Sequence, residues 1–439
     1  MIEQRPQGFP APFFDTAVVG MAEAFISYIQ LVINFDRRLD PDRTARACRL
    51  LLDAEPILGC LYRSRYFTPF WERLPKEELD GQSVFRFAVE GPGRSNEMDT
   101  FLGEQIFPQS EPPLKILLVR RGETDQLVIK ADHQVTDAAG VKYMGRRLAD
   151  IYNRLNINSS YRPKVNNTPR GQDQIYRSFI VGRIQALAMR YIRDIKAVFY
   201  PIGNLNFPMD KERSAAPIFL LKRFESERVE RAREYATRHG ATINDLATAA
   251  MFRALVSAVD WDGRSALRMV GTVDMRRYLP PGGGEVVGNL SGWYFLNLRK
   301  NLGRDLGETL TEVKRQSGFI KKDYIGLGFN LFGYMILRPI PYRIRTWYMN
   351  QNIKLFNRLG NMPPTLTNMG RIDHEKLSFR PATVLDAFLL VPPTTPPVLG
   401  MGLSGCRGSL TLSSGIFESA IPRDRIEKLF EYFDSELPA

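Results

Sequence analysis

The sequence is poor in the residues from which most recognisable sites are built: among 439 residues there are three cysteines and three histidines. Cys48, Cys60 and Cys406 are odd in number and share no CxxC spacing, which argues against a disulfide framework or a zinc site and fits a reducing, cytoplasmic setting. No GxSxG elbow, P-loop or HExxH occurs, so the local signatures of serine hydrolases, nucleoside triphosphatases and zinc proteases are missing. The triplet Gly282 to Gly284 lacks a following lysine and Ser/Thr and reads as a flexible loop. The N-terminus has no positive start followed by an apolar run, so no secretory signal is expected. One long apolar stretch, Tyr324 to Ile344, is broken by Arg338, Pro339 and Pro341 and is too short to span a bilayer. It reads as a buried or amphipathic helix, with room for peripheral membrane contact through 325–350.

What is present points to a globular protein. Hydrophobic residues make up 44% and charged residues 25% of the chain, a balance unlike that of disordered or membrane-embedded chains. This length exceeds what one hydrophobic core serves, so two domains are expected. Pro201, Asn204 and Pro208 mark a break, which places the boundary between residues 1–205 and 206–439. The net charge of +12 attracts anions. Its cations are interleaved with acids, as in SERVERAREYATRH, and no long basic run, zinc finger or RNP pattern occurs, so nucleic acid is not an expected partner.

Periodicity then places the elements. A strand is expected over 25–35, and Asp40 caps a helix that starts at Pro41 and presents Ala45, Cys48, Leu51 and Leu52 on one face. Leu114–Arg121 and Gln126–His133 read as paired strands joined by the polar turn GETD. After His133 the period changes: Val141, Met144, Leu148, Ile151 and Leu155 mark a helix beginning near Gly140. In the second half one helix closes at Gly240 and Thr242 caps the next. Strands at 267–275 and 291–300 flank a glycine-rich loop. MPPTLTNMG and LVPPTTPPVLGMG read as interruptions before the strand SLTLSS and a final helix.

His133 therefore stands where a buried strand ends and a helix is about to begin, four residues before Asp137. Imidazole is the side chain best suited to take a proton near neutral pH, and such strand ends are where α/β proteins place working groups. A structural histidine is the competing reading. His239, at a helix end, reads as a cation on the negative pole of the dipole, and His374 as a solvated loop residue.

The order of these segments resembles the chloramphenicol acetyltransferase-like superfamily: condensation domains of peptide synthetases, wax ester synthases, alcohol O-acetyltransferases and polyketide-associated acyltransferases. LDPDRTARACRLLLDAEPIL is similar to its first helix, and PPLKILLVRR with QLVIKADHQVTDAAG to the strands leading into its HHxxxDG motif. ATINDLATAAMFRAL resembles the helix opening its second half; TVDMRRYLPP, VVGNLSG and TLTNMGRID resemble later landmarks. The resemblance implies an α/β fold of two subdomains, each a mixed sheet flanked by helices, with a tunnel between them. It implies acyl transfer from acyl-CoA or a phosphopantetheine thioester, on an acyl carrier protein in the latter case, to an alcohol or amine, with no permanently bound cofactor and no metal. His133 matches the motif base, and Asp137 the motif aspartate, implied to pair with Arg276. Gly140, Asn289, Ser291, Trp293 and Asn368 are the implied substrate or oxyanion contacts. Two positions depart from the motif: Asp132 replaces its first histidine and Ala138 its glycine. A stand-alone condensation enzyme using carrier-bound donors and a non-catalytic scaffold or ligand-binding relative of the fold are the alternative readings.

Overall fold

The run Tyr28–Phe35 is buried at nearly every position, so it must lie in a sheet covered on both faces. The computed structural model describes residues 8–22, 24–91, 97–198, 207, 209–210, 216–259, 261, 263, 267–281, 283–298, 302–322, 324–358 and 362–438. The first part of the chain forms strands β1 (Gly8–Pro10), β2 (Tyr28–Phe35), β3 (Cys60–Arg63), β4 (Phe70–Arg73), β5 (Phe85–Glu90), β6 (Leu114–Arg121) and β7 (Thr124–Asp132). Its helices are α1 (Phe13–Gly20), α2 (Pro41–Ala54), α3 (Lys76–Gly81), α4 (Glu97–Gly103), α5 (Ala138–Ile157) and α6 (Asp173–Val198). There follow strands β8 (Ile218–Phe224), β9 (Arg268–Asp274), β10 (Ser291–Asn297), β11 (Thr365–Ile372), β12 (Val384–Leu390), β13 (Gly400–Cys406) and β14 (Ser409–Ile416). The later helices are α7 (Ser226–Arg238), α8 (Ile243–Ala258), α9 (Leu306–Lys322), α10 (Gly328–Leu337), α11 (Tyr342–Arg358) and α12 (Arg423–Glu436).

These form two mixed sheets and a small three-stranded one. The first sheet runs β12-β2-β7-β6-β5, antiparallel except for the β5–β6 pair. Leu31, Ile33 and Ile129 on one face pack with Leu51 of α2 and with Met144 and Leu148 of α5, while Val32, Leu117 and Val128 on the other meet Met98 and Phe101 of α4. The second sheet runs β10-β9-β11-β13-β14-β8, with β11 parallel to both neighbours. Met269, Leu296, Met401 and Leu412 on its outer face share a core with α8 and α12. Several local expectations are met in atomic detail. The Asp40 carboxylate accepts from the Arg43 N–H at 3.1 Å at the start of α2. Thr242 and Asp245 form a reciprocal capping box on α8. Gly122, at φ +61°, turns the β6–β7 hairpin.

Other expectations change. The boundary expected at 205/206, with Pro201, Asn204 and Pro208, lies outside the described residues. β12, from near the C-terminus, returns to pair with β2 in the first sheet, a long-range pairing that no local pattern announces. The interruptions MPPTLTNMG and LVPPTTPPVLGMG run directly into β11 and β13, because their glycines serve close approach: a Cβ on Gly402 would lie 2.2 Å from Val391 Cγ1. The apolar stretch Tyr324 to Ile344 divides between surfaces. Ile325, Leu327, Leu331 and Tyr334 are buried, whereas Met335, Ile336 and Ile344 are exposed. Among the described residues, no helix is long and apolar enough to cross a membrane.

Candidate active site

β7 ends at Asp132, and five residues turn the chain into α5. Asp137 is the N-cap, its carboxylate accepting from the Gly140 N–H at 2.9 Å. A helix start so close behind a strand end forces a tight turn, and His133 stands on it half-buried. Its Nδ1 lies 2.7 Å from the Thr136 carbonyl oxygen. A carbonyl can only accept, so Nδ1 carries the proton and the lone pair of the neutral ring sits on Nε2. Burial pulls the His133 pKa below the ordinary histidine value, against the opposing pull of the Thr136 hydrogen bond and the Asp137 charge, which favours the neutral ring. The Asn289 amide donates to the His133 carbonyl at 3.1 Å, and Phe25 lies against the imidazole with ring centroids 5.8 Å apart.

Asp137 joins the two halves of the chain. Its Oδ2 accepts from Arg276 Nη1 at 2.8 Å, the Leu290 N–H at 2.7 Å and Ser291 Oγ at 3.2 Å. Burial raises the pKa of such a carboxyl; the Arg276 charge and these donors outweigh it and hold the group below the usual range. Arg276 is itself almost fully bonded. Its Nε and Nη2 donate to the Gly284 and Gly288 carbonyls, both at 3.0 Å, and Nη1 also reaches Asp274 at 3.2 Å. The glycine loop is therefore more than a flexible connection. Gly284, at φ +82°, leaves room where a Cβ would stand 2.8 Å from Arg276 Cγ; Gly282 lies outside the described residues.

The two motif departures have separate explanations. Asp132 is buried, accepts from Ser27 Oγ at 3.2 Å and from the Gln134 N–H at 2.8 Å, and thus braces the turn from below. Burial pushes its pKa up to about 8. Ala138 opens α5 with a Cβ that packs on the first core. Gly140 is the position that must lack one: a Cβ there would meet Thr136 Oγ1 at 2.1 Å and the Gly288 carbonyl at 3.3 Å.

His133, Asp137, Gly140, Arg276, Asn289 and Ser291 thus share one bonded network. Within it Ser291 gives its hydroxyl proton to Asp137. Trp293 stands on β10 in edge contact with Phe295, ring centroids 5.4 Å apart, on the same strand face as Ser291. Asn368 is exposed on β11 and donates to Asn244 at 3.0 Å, outside the network. His239 caps α7 as expected, stacked on Tyr235. His374 is half-buried rather than freely solvated.

Two supports escaped the sequence reading. Arg170 donates to the Val135 carbonyl at 3.1 Å and the Val287 carbonyl at 2.7 Å; Gln172 donates to the Asn289 and Ser291 carbonyls at 3.2 and 2.9 Å. Both lie in a polar connection without periodicity, and no motif marks them. A cleft of about 590 Å³ opens behind Arg170, and His133 is not among its lining residues.

No protein-family model matches the chain, and no curated protein matches it in sequence. Solved structures do match in shape. Trichothecene 15-O-acetyltransferase TRI3 from Fusarium sporotrichioides superposes with a TM-score of 0.70 at 14% identity, covering 98% of this chain and 96% of that one. The first condensation domain of the CDA synthetase gives 0.69 at 15% identity over 98% and 95% of the two chains. Polyketide synthase associated protein 5 from Mycobacterium tuberculosis gives 0.67 at 13% over 98% of both. The chain has the chloramphenicol acetyltransferase-like fold. Identity this low carries the architecture alone; the chemistry must be argued from the side chains.

Proposed function

We propose that this chain is an acyltransferase that moves an acyl group from a thioester, on coenzyme A or on a carrier protein's phosphopantetheine arm, to an alcohol or amine. The observation that carries the reading is the tautomer of His133: Nδ1–H is committed to the Thr136 carbonyl, which leaves the lone pair of the neutral ring on Nε2 of a half-buried residue. In the reaction, Nε2 takes the acceptor's proton as its oxygen or nitrogen attacks the thioester carbonyl. The tetrahedral oxyanion then collapses, the carbon–sulfur bond breaks, and the leaving thiolate recovers the proton from the imidazolium. No acyl-enzyme is needed. The Asp137–Arg276 pair holds the turn in place, and the +12 net charge suits the phosphates of either donor. Incubation with a panel of acyl-CoAs and acyl-carrier thioesters, reading thiol release across alcohols and amines, tests this directly; thiol release that persists in His133→Ala would remove the histidine from the mechanism.

Peripheral membrane contact through 325–350 belongs to the same reading, as an approach to greasy substrates. It draws support from Trp347 and Tyr348, exposed at 63% and 52%, and from the absence of any Asp or Glu between Asp323 and Asp373. A non-catalytic, ligand-binding role draws its support from the cleft that His133 does not line.

A further inference from the structure

The cleft behind the histidine turn has walls of two kinds. Phe9, Phe13, Phe14 and Tyr334 supply apolar surface, and Arg170, Arg338 and Arg345 supply positive charge. Arg345 is the unusual member. It projects from the face of α11 that packs on α1, is only 6% exposed, and stacks on Phe13 with its guanidinium 5.2 Å from the ring centroid. Nη2 donates to Thr16 Oγ1 at 2.9 Å and Nη1 to the Arg338 carbonyl at a long 3.4 Å, while Nε–H finds no acceptor among the described residues. Burial lowers its pKa, and the groups opposing that are tyrosines, Tyr62 and Tyr342, rather than a carboxylate. A guanidinium so deeply placed normally has a carboxylate or phosphate partner.

The neighbouring acids are already engaged. Asp15 accepts from Arg170 at 3.1 Å and from the Trp71 indole at 2.8 Å. Glu55 accepts from Tyr143 and Asn166, and burial pushes its pKa up to about 7. Asp173 pairs with Arg177. Arg170 also keeps Nη1–H without an acceptor among the described residues. Arg170 and Arg345, each carrying one such buried donor, line the same cleft, with Arg338 laid over Tyr334 at 5.1 Å and with Glu55 and Asp173 also in the lining. The volume of about 590 Å³ is that of a small-molecule pocket.

We propose that this cleft is a second ligand site, for a small amphipathic acid whose carboxylate or phosphate is held by Arg345 and Arg170 while its apolar body lies against the phenylalanines. The site is separate from the acyl-transfer reading, since it is built from residues that do not touch His133. Three eight-carbon probes test it by calorimetry on the full chain: octanoate, octyl phosphate and octanol. At least one acidic probe is expected to bind, with the tighter of the two naming the head group, and octanol is expected to bind at least about tenfold more weakly. His133→Ala should bind the acid as the parent does, whatever happens to acyl transfer. Arg345→Gln, with melting checked first, should weaken the acid about tenfold. Should that variant fail to fold, Arg338→Glu at the exposed rim should weaken it several-fold instead. Failure of both acids to bind, octanol binding as tightly, or parent-like affinity in the folded arginine variant would overturn the site.

Discussion

The two large sheets are built from different residues and do different work. The first is packed on both faces, with Leu31 and Ile33 turned one way and Val32 the other, where buried Gln30 and Lys130 lie beside it. The second packs its aliphatic residues mainly toward its helices; its opposite face carries Thr272, Thr365, Thr367, Gly400, Gly402 and Ser413 beside Val270 and Leu221. At β13 and β14 that small-residue face closes on the edge of β12. The Leu389 N–H donates to Ser404 Oγ at 3.0 Å, and Ser413 Oγ donates to the Leu389 carbonyl at 3.1 Å. At β9, β10 and β11 it remains half-accessible around Trp293 and Phe295. The contrast teaches that a doubly packed sheet delivers the histidine rigidly, while the other sheet contributes open lining and the arginine that locks the turn.

The sharpest way to test this division is to remove the delivered group. His133→Ala should leave melting near the parent value and cut acyl transfer by about 100- to 10,000-fold, the worth of a positioned general base; an unchanged rate of turnover would end the mechanism. Breaking the lock should do the reverse. Asp137→Ala or Arg276→Ala strands a buried charge, with Asp137 only 2% exposed, and is expected to cost about 3 kcal/mol of stability in denaturant titrations. Parent-like midpoints for both variants would show that the pair does not join the lobes. Gly140→Ala, which drives a Cβ toward Thr136 Oγ1, should cost about 1–3 kcal/mol and also impair catalysis, since Thr136 orients the imidazole.

Acidity sharpens the comparison further. Because burial disfavours the imidazolium, the folded pKa of His133 is depressed and the base stays neutral as pH falls through its ordinary value. The acid limb of the rate profile should therefore lie below pH 6.5 and fall about tenfold per unit beneath its midpoint. A midpoint above 6.5 would place the ring in water or beside a carboxylate. The smallest effect is expected at the outer face of α11, where Trp347→Ser should weaken sedimentation with phosphatidylglycerol vesicles by several-fold without changing the melting temperature. Equal sedimentation of variant and parent would remove Trp347 from any membrane contact.

Much of the site was legible beforehand because its signals are local. The strand ending at Asp132, the change to helical period beyond Gly140 and the cap at Asp137 all lie within one short stretch, and each obeys a rule of backbone geometry. Arg276 was found through resemblance, since nothing in VDMRR by itself points across 139 residues to Asp137. The bond from Ser291 to Asp137 had no local signal for a related reason: a hydroxyl's direction depends on which carboxylate folding brings beside it. Arg170, Gln172 and the glycine cradle of Arg276 had no signal, because they act through backbone carbonyls that any residue type can supply.

Read alone, the chain's apolar periods and caps settle where several strands and helices begin, because side-chain alternation and unsatisfied helix ends are consequences of neighbouring residues. Folding in three dimensions decided the rest: which strand closes the first sheet, which nitrogen of His133 carries its proton, and which glycine must lack a Cβ. Each of these depends on atoms far apart in sequence meeting within a few ångströms, where burial and hydrogen-bond geometry, rather than residue type, select the outcome.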